Sequence, residues 1–283
     1  MLCFNRRVRS NVKAEIKALI SDTKVEPLVR WLVKRIRGNK IRFELVKNEI
    51  YDRQAFEVMR RVLSPISNCV DIGCHRGRFM REILKYAPDG HHFAFEPIPQ
   101  LAAQLRDAFP SAQVFDLALS DKSGEAPFYI FAKSPARSGL NRRDFLRHAE
   151  PRQATEVRTE RLDALLPPDI RVAFIKIDVE GAEGLVIAGA LDTIKRDRPF
   201  IVFEDGTSSN RAFGIPRAKI YDLLVHQCGL HLSLLPHWLS GKRPLTEREF
   251  AEQREWYFLA HPATNVGAPL GRSSETGRRW PPQ

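Results

Sequence analysis

Two segments of this chain carry residue types and spacings that could do chemistry: Val70-Asp71-Ile72-Gly73-Cys74-His75-Arg76-Gly77 and Ile175-Lys176-Ile177-Asp178-Val179-Glu180-Gly181-Ala182-Glu183. Each is an apolar, strand-like run that ends in acid and glycine and then turns into a helical pattern. In an open α/β sheet ligands bind outside the carboxyl ends of the strands, so two such ends describe a pocket with carboxylates on its rim. A dinucleotide fold needs G-x-G-x-x-G to seat a pyrophosphate on a helix N-terminus. Here the pattern is D-x-G-x-x-x-G, with Asp71 two residues before Gly73. A carboxylate in that place suits a cationic ligand. S-adenosylmethionine carries an ammonium and a sulfonium and no phosphate, which fits both the acid and the missing third glycine. His75 stands between the glycines and belongs to the residue types enriched at positive φ.

Glu96 follows Gly73 by 23 residues, where dinucleotide folds place the acid that accepts a ribose diol, and the adenosine of S-adenosylmethionine offers the same diol. Asp116 ends the next strand and is placed to meet an adenine edge, a turn-forming acid being the plain alternative. Strand alternation puts Lys176 and Asp178 on one face and Ile175 and Ile177 on the other. A charged pair inside a central strand is costly unless it is satisfied. Asp178, Glu180 and Glu183 cluster at that strand end, and Glu204-Asp205-Gly206 repeats the theme at the following one. Asp178, or else Glu204, is the candidate general base for an acceptor hydroxyl; Glu183 also suits the first turn of a helix. Methyl transfer requires no metal, though the oxygen-bearing acids at 178, 180 and 204 could bind a divalent ion.

The elements that must position these residues follow from periodicity. Strands are expected at 69–72, 92–95, 113–119, 127–131, 172–177, 200–203, 230–235 and 256–260, with helices near 53–63, 77–86, 99–109, 182–194 and 216–227. Such alternation predicts an α/β fold with a doubly wound, mostly parallel sheet. The Arg-rich stretch 133–158 has little periodicity and reads as an active-site loop or lid.

The chain has 283 residues, 43% of them hydrophobic, and a net charge of +11. Residues 1–50 hold thirteen Lys and Arg against five Asp and Glu, and Val25, Leu28, Val29, Leu32, Val33 and Ile36 form one face of a helix there. A basic amphipathic arm suggests contact with something anionic, such as a membrane surface, or a solvated helix face. No run of apolar residues is long enough to span a bilayer, and the start turns basic before a signal-peptide core could form, so a cytoplasmic protein is expected. The four cysteines show no metal-ligand spacing and no disulfide framework. The expected divisions are a basic helical extension over 1–64, a catalytic domain over 65–262 and a disordered tail over 263–283.

The chain resembles the FkbM family of methyltransferases. The resemblance is carried by VDIGCHRG at 70–77, AFEP at 94–97, ALSDKSG at 118–124, SGL at 138–140, RLDAL at 161–165, IKIDVEGAE at 175–183 and PFIVFE at 199–204. It implies a class I, Rossmann-like methyltransferase with a seven-stranded sheet, S-adenosylmethionine as cofactor, and a hydroxyl of a sugar, glycan or natural product as acceptor. Family roles carry over to Asp71, Gly73, Gly77, Glu96 and Asp116 as cofactor-binding residues, with Asp178 facing the reaction centre. Cys74-His75 departs from the family's Ala-Asn, and the first 60 residues and those after 206 match nothing in the family. Two other classes stay open: a nucleic-acid-modifying enzyme, weakened because no aromatics interleave the arginines, and a catalytically silent nucleotide- or glycan-binding module on the same scaffold.

Overall fold

The computed structural model describes residues 47–131, 138–140, 152–205, 213 and 215–263. The chain divides into two compact units, Met1–Asp52 and Arg53–Gln283. Of the first, only residues 47–52 are described, and they are helical. The amphipathic stripe Val25–Ile36, the Arg-rich residues 141–151 and the tail from 264 lie outside the described residues.

In the second unit a seven-stranded sheet has the order β3-β2-β1-β7-β8-β10-β9. Its strands are β1 (Asn68–Ile72), β2 (His92–Phe95), β3 (Ala112–Phe115), β7 (Val172–Ile177), β8 (Phe200–Glu204), β9 (His231–Leu234) and β10 (Tyr257–His261). β10 runs antiparallel to both β8 and β9, and the pairings β1–β2, β1–β7, β2–β3 and β7–β8 are all parallel. A second sheet has the order β4-β6-β5, from Ala118–Leu119, Arg152–Glu160 and Gly124–Phe131.

Val70, Ile72, Ile175, Ile177, Ile201 and Phe203 belong to one core cluster with the helices that cover the sheet. Full burial of side chains of this size contributes about 1.5–3 kcal/mol each. Helix α1 (Arg78–Tyr86) buries Phe79, Met80 and Ile83, has Lys85 in its last turn, and stops before Pro88. Helix α2 (Pro99–Ala108) opens on proline, which is pre-set for a first helical turn, and buries Leu101, Ala102 and Leu105.

Several expected elements are revised. The strand over 113–119 is two strands, with Asp116 and Leu117 in the corner where the chain leaves the large sheet for the small one. Residues 152–158, read as part of a loop, belong to β6, which pairs with β5 along its length. The helix near 182–194 is two, α3 (Glu183–Ala188) and α4 (Leu191–Asp197), because a side chain at Gly189 would meet the Ser120 carbonyl at 2.0 Å and the chain breaks where the backbones touch.

Candidate active site

The glycine turn is tied down from within. The N–H groups of Gly73 and Cys74 donate to the Phe95 carbonyl at 3.0 and 3.1 Å, and that of Gly77 donates to the Cys74 carbonyl at 2.8 Å. The His75 N–H donates to Glu96 Oε2 at 2.9 Å, while Ile98 N–H donates to Glu96 Oε1 at 2.9 Å. A phosphate-binding loop aims its N–H groups at the ligand; in this turn these four are used by the protein itself. Gly73, His75 and Gly77 all have positive φ, 73°, 49° and 73°. A Cβ on Gly73 would lie 1.9 Å from the Asp178 carbonyl oxygen, so glycine is what lets the ends of β1 and β7 touch.

The second motif supplies charge. Asp71 and Lys176 are register partners on β1 and β7, both buried. Lys176 Nζ donates to the Gly73 carbonyl at 2.7 Å and lies 3.6 Å from Asp71 Oδ1 and 3.6 Å from Asp178 Oδ2. Burial alone would lower the pKa of this ammonium, but the neighbouring charges of Asp178 and Asp71 raise it overall, so it stays charged. Neither Asp71 oxygen has a hydrogen-bond partner among the described residues, and Lys176 is the cation that offsets its charge.

Beyond Asp178 the chain turns through Glu180 and Gly181, with φ of 54° and 105°. Glu183 holds this turn: its Oε1 accepts from the N–H groups of Val179 and Gly181 at 3.2 and 3.0 Å, and burial pushes its carboxyl up to about 7. Glu204 ends β8 beside Asp178. Burial, then the charges of Asp178, Glu180 and Glu183, push its carboxyl well above the usual carboxylate range, which favours its protonated form. Tyr257 O–H donates to Asp178 Oδ2 at 3.3 Å.

These elements enclose a cleft at the carboxyl ends of β1, β2 and β7. Apolar side chains from Ile72, Phe95, Ile98, Leu117, Phe128 and Val179 line it, together with the carboxylates Glu96, Asp178 and Glu180. No lysine or arginine of the described residues lines it. Of the residues singled out in the sequence, Gly73, His75, Glu96, Asp178 and Glu180 line the cleft, and Glu204 does not. Asp71 lies behind it against Lys176, and Gly77 caps α1. Asp116 is not brought there: its carboxylate is 57% exposed and pairs with Arg106 Nη2 at 2.9 Å. Asp205 is buried against the Arg217 guanidinium, which also binds the carbonyls of Phe250, Gln253 and Glu255, a structural lock. Among the described residues no group of three or more His, Cys, Asp or Glu could hold a metal ion.

Sequence reasoning noticed Lys176 only as a costly charge and missed Tyr257. The alternation of charge inside an apolar strand was the signal for the first. No local signal exists for Tyr257, which stands in an ordinary apolar strand.

A parallel doubly wound sheet with a late antiparallel strand, a self-satisfied glycine turn and a carboxylate-lined cleft fits a class I, S-adenosylmethionine-dependent methyltransferase. The sequence profile of the methyltransferase FkbM domain matches residues 71–232, and the chain belongs to that family. It is similar to the 2-O-methyltransferase NoeI of Sinorhizobium fredii (strain NBRC 101917 / NGR234), 30% identical over 192 residues that cover 60% of this chain and 77% of NoeI. It is also similar to the methyltransferase sdnD of Sordaria araneosa, 23% identical over 183 residues, 53% of this chain and 70% of sdnD. Among solved structures it resembles the methyltransferase FkbM from Methylobacillus flagellatus KT, with 14% identity and a TM-score of 0.45 over 70% of this chain. The match covers 44% of that protein, so the chain spans less than half its length.

Proposed function

We propose that this enzyme methylates a hydroxyl of a sugar or a sugar-bearing natural product. The observation that carries the reading is Asp178: it is the carboxylate at the cleft that Lys176, Glu204 and Tyr257 all approach, so it is held in place. The cleft suits the cofactor, because its polar lining is carboxylate and its remaining surface apolar. In this reading Gly73 and Glu96 hold the adenosyl part. Each Glu96 oxygen already takes one backbone N–H and keeps a second lone pair for a ribose hydroxyl. Asp71 works through Lys176, and Gly77 shapes the turn. Asp116 is left out, since Arg106 occupies its carboxylate.

The cofactor supplies an electrophilic methyl group on a positively charged sulfur. The protein's part is to hold the acceptor oxygen about 3–3.5 Å from that carbon and to take its proton. Asp178 takes the proton. Burial and the neighbouring carboxylates raise the Glu204 carboxyl, which favours Asp178 over Glu204 as the acceptor of that proton. Lys176 offsets the charge that gathers at this strand end.

The 2-O-methyltransferase name of NoeI supports a hydroxyl acceptor. A polyanionic acceptor is disfavoured by three lining carboxylates. The test is transfer of labelled methyl from S-adenosylmethionine to a panel of methyl hexopyranosides and a glycan extract, with total RNA alongside. Label in an alkali-stable sugar ether is the expected result; label in RNA alone would overturn the reading.

We further read residues 1–50 as a basic arm that recruits the enzyme to an anionic surface, residues 65–262 as the catalytic domain, and the cytoplasm as its location. Support comes from the charge of the arm and from Cys69, Cys74 and Cys228 being free and buried. No described helix is long and apolar enough to cross a membrane. Full-length protein should sediment with anionic liposomes at low salt, and protein lacking residues 1–50 should not.

A further inference from the structure

We propose that Tyr257 is a positioning residue for methyl transfer, fixing one oxygen of Asp178 so that the carboxylate presents the other to the acceptor hydroxyl; this rests on the reading of Asp178 as the proton acceptor. Tyr257 is the first residue of β10 and is 7% exposed. Its Cα is the register partner of Glu204 on β8, which places its ring beside the Asp178 and Glu204 pair. The hydroxyl donates to Asp178 Oδ2 at 3.3 Å, and Lys176 Nζ lies 3.6 Å from the same oxygen. Two groups from different strands thus converge on Oδ2.

A buried phenol O–H usually finds a hydrogen-bond partner. The 3.3 Å separation is longer than the usual O–H···O bond of about 2.5–3.0 Å. Hydrogen bonds of this sort are often long before substrate binds and tighten in the productive complex. The other ionisable or charged groups facing Asp178 are His75 on the glycine turn, Lys176 on β7, Glu180 and Glu183 after it, and Glu204 on β8. Of these, only Lys176 carries a positive charge, and it is shared with Asp71. Tyr257 contributes direction without adding charge. Position 257 lies beyond residues 71–232, the part matched by the family profile, and reaches the site only because β10 inserts beside β8.

The test compares Y257F, D178N and the double variant for methyl transfer from labelled S-adenosylmethionine to methyl hexopyranosides. S-adenosylhomocysteine affinity is measured in parallel by calorimetry. Phenylalanine fills the same space, so the fold should hold. A hydrogen bond to a charged group, at about 1.5–3 kcal/mol, corresponds to a rate loss of about tenfold or more. The proposal expects that loss in Y257F with cofactor-product affinity within about twofold, and no additional loss when the change is added to D178N. Equal losses in both backgrounds, or an unchanged Y257F rate beside a crippled D178N, would overturn it while leaving Asp178 as the base. A D178N enzyme of full activity would remove the base itself. Crystals of Y257F with S-adenosylhomocysteine give a readout independent of any acceptor: the Asp178 carboxylate should take a second orientation, and a single unchanged one overturns the proposal.

Discussion

Glu96 shows how one carboxylate can serve the fold and the ligand together. Its two oxygens end the backbone donors of His75 and Ile98, and burial raises its pKa against those two hydrogen bonds. Removing it leaves two N–H groups without their acceptor, each costing about 1–3 kcal/mol if water cannot replace it. E96A should therefore lose both stability and affinity for S-adenosylhomocysteine, read by chemical denaturation and calorimetry; weakened binding on an unchanged fold would mean that water replaces the carboxylate. Glu183 makes a pH prediction. Its carboxyl stands at about 7 in the folded enzyme and near 4.3 in an unfolded chain. Both states are protonated below about 4.3, so no penalty exists there. As pH rises toward 7 the unfolded chain ionises first, and stability falls by an amount on the order of 3–4 kcal/mol. E183Q keeps an oxygen for the Val179 and Gly181 N–H groups and does not titrate, so its stability should decline less over that interval. Parallel pH profiles of the two proteins would contradict this account.

At the scale of elements, the site is the contact between two strand ends. The Asp178 N–H donates to the Ile72 carbonyl at 3.1 Å, and Gly73 lets the Asp178 carbonyl pass where a Cβ would sit at 1.9 Å. The second glycine is tight for another reason: a Cβ on Gly77 would meet the Phe109 ring at 2.2 Å, a side chain and not backbone. Both positions carry the cost of positive φ, about 1–2 kcal/mol for a non-glycine residue. G73A should thus cost more than G77A and should also abolish S-adenosylhomocysteine binding, because the backbone collision displaces β7 and Asp178 with it. The order is checked by denaturant midpoints of the two variants, and a G77A protein less stable than G73A would refute it.

For the whole molecule the sign of the cleft decides what it accepts. Glu96, Asp178 and Glu180 line it, no lysine or arginine of the described residues does, and the N–H groups of Gly73, Cys74, His75 and Gly77 are used internally. A pyrophosphate would meet negative charge and find no donors from this turn. S-adenosylhomocysteine at a hundred times its dissociation constant should add about 2.7 kcal/mol of apparent stability, and NAD none. A thermal-shift measurement in which NAD stabilises and S-adenosylhomocysteine does not would reverse the assignment of the cleft.

Much of this was legible in the linear chain, because strands and helices leave periodic traces and a glycine turn must be spelled locally. The alternation from Cys69 to Ala260, the D-x-G-x-x-x-G turn and the run Ile175–Glu183 determined the class of fold, the family and the neighbourhood of the site. Which acids meet was not determined there. Asp71 and Lys176 become partners through the adjacency of β1 and β7, while Asp116, equally acidic at an equivalent strand end, turns outward to Arg106 where the chain leaves for the second sheet. Tyr257 and Asp178 are 79 positions apart and come within 3.3 Å because β10 slots antiparallel beside β8. Local periodicity reports which face of an element is apolar; only strand order, set by packing of the whole sheet, decides which charged groups share a dielectric and therefore a chemistry.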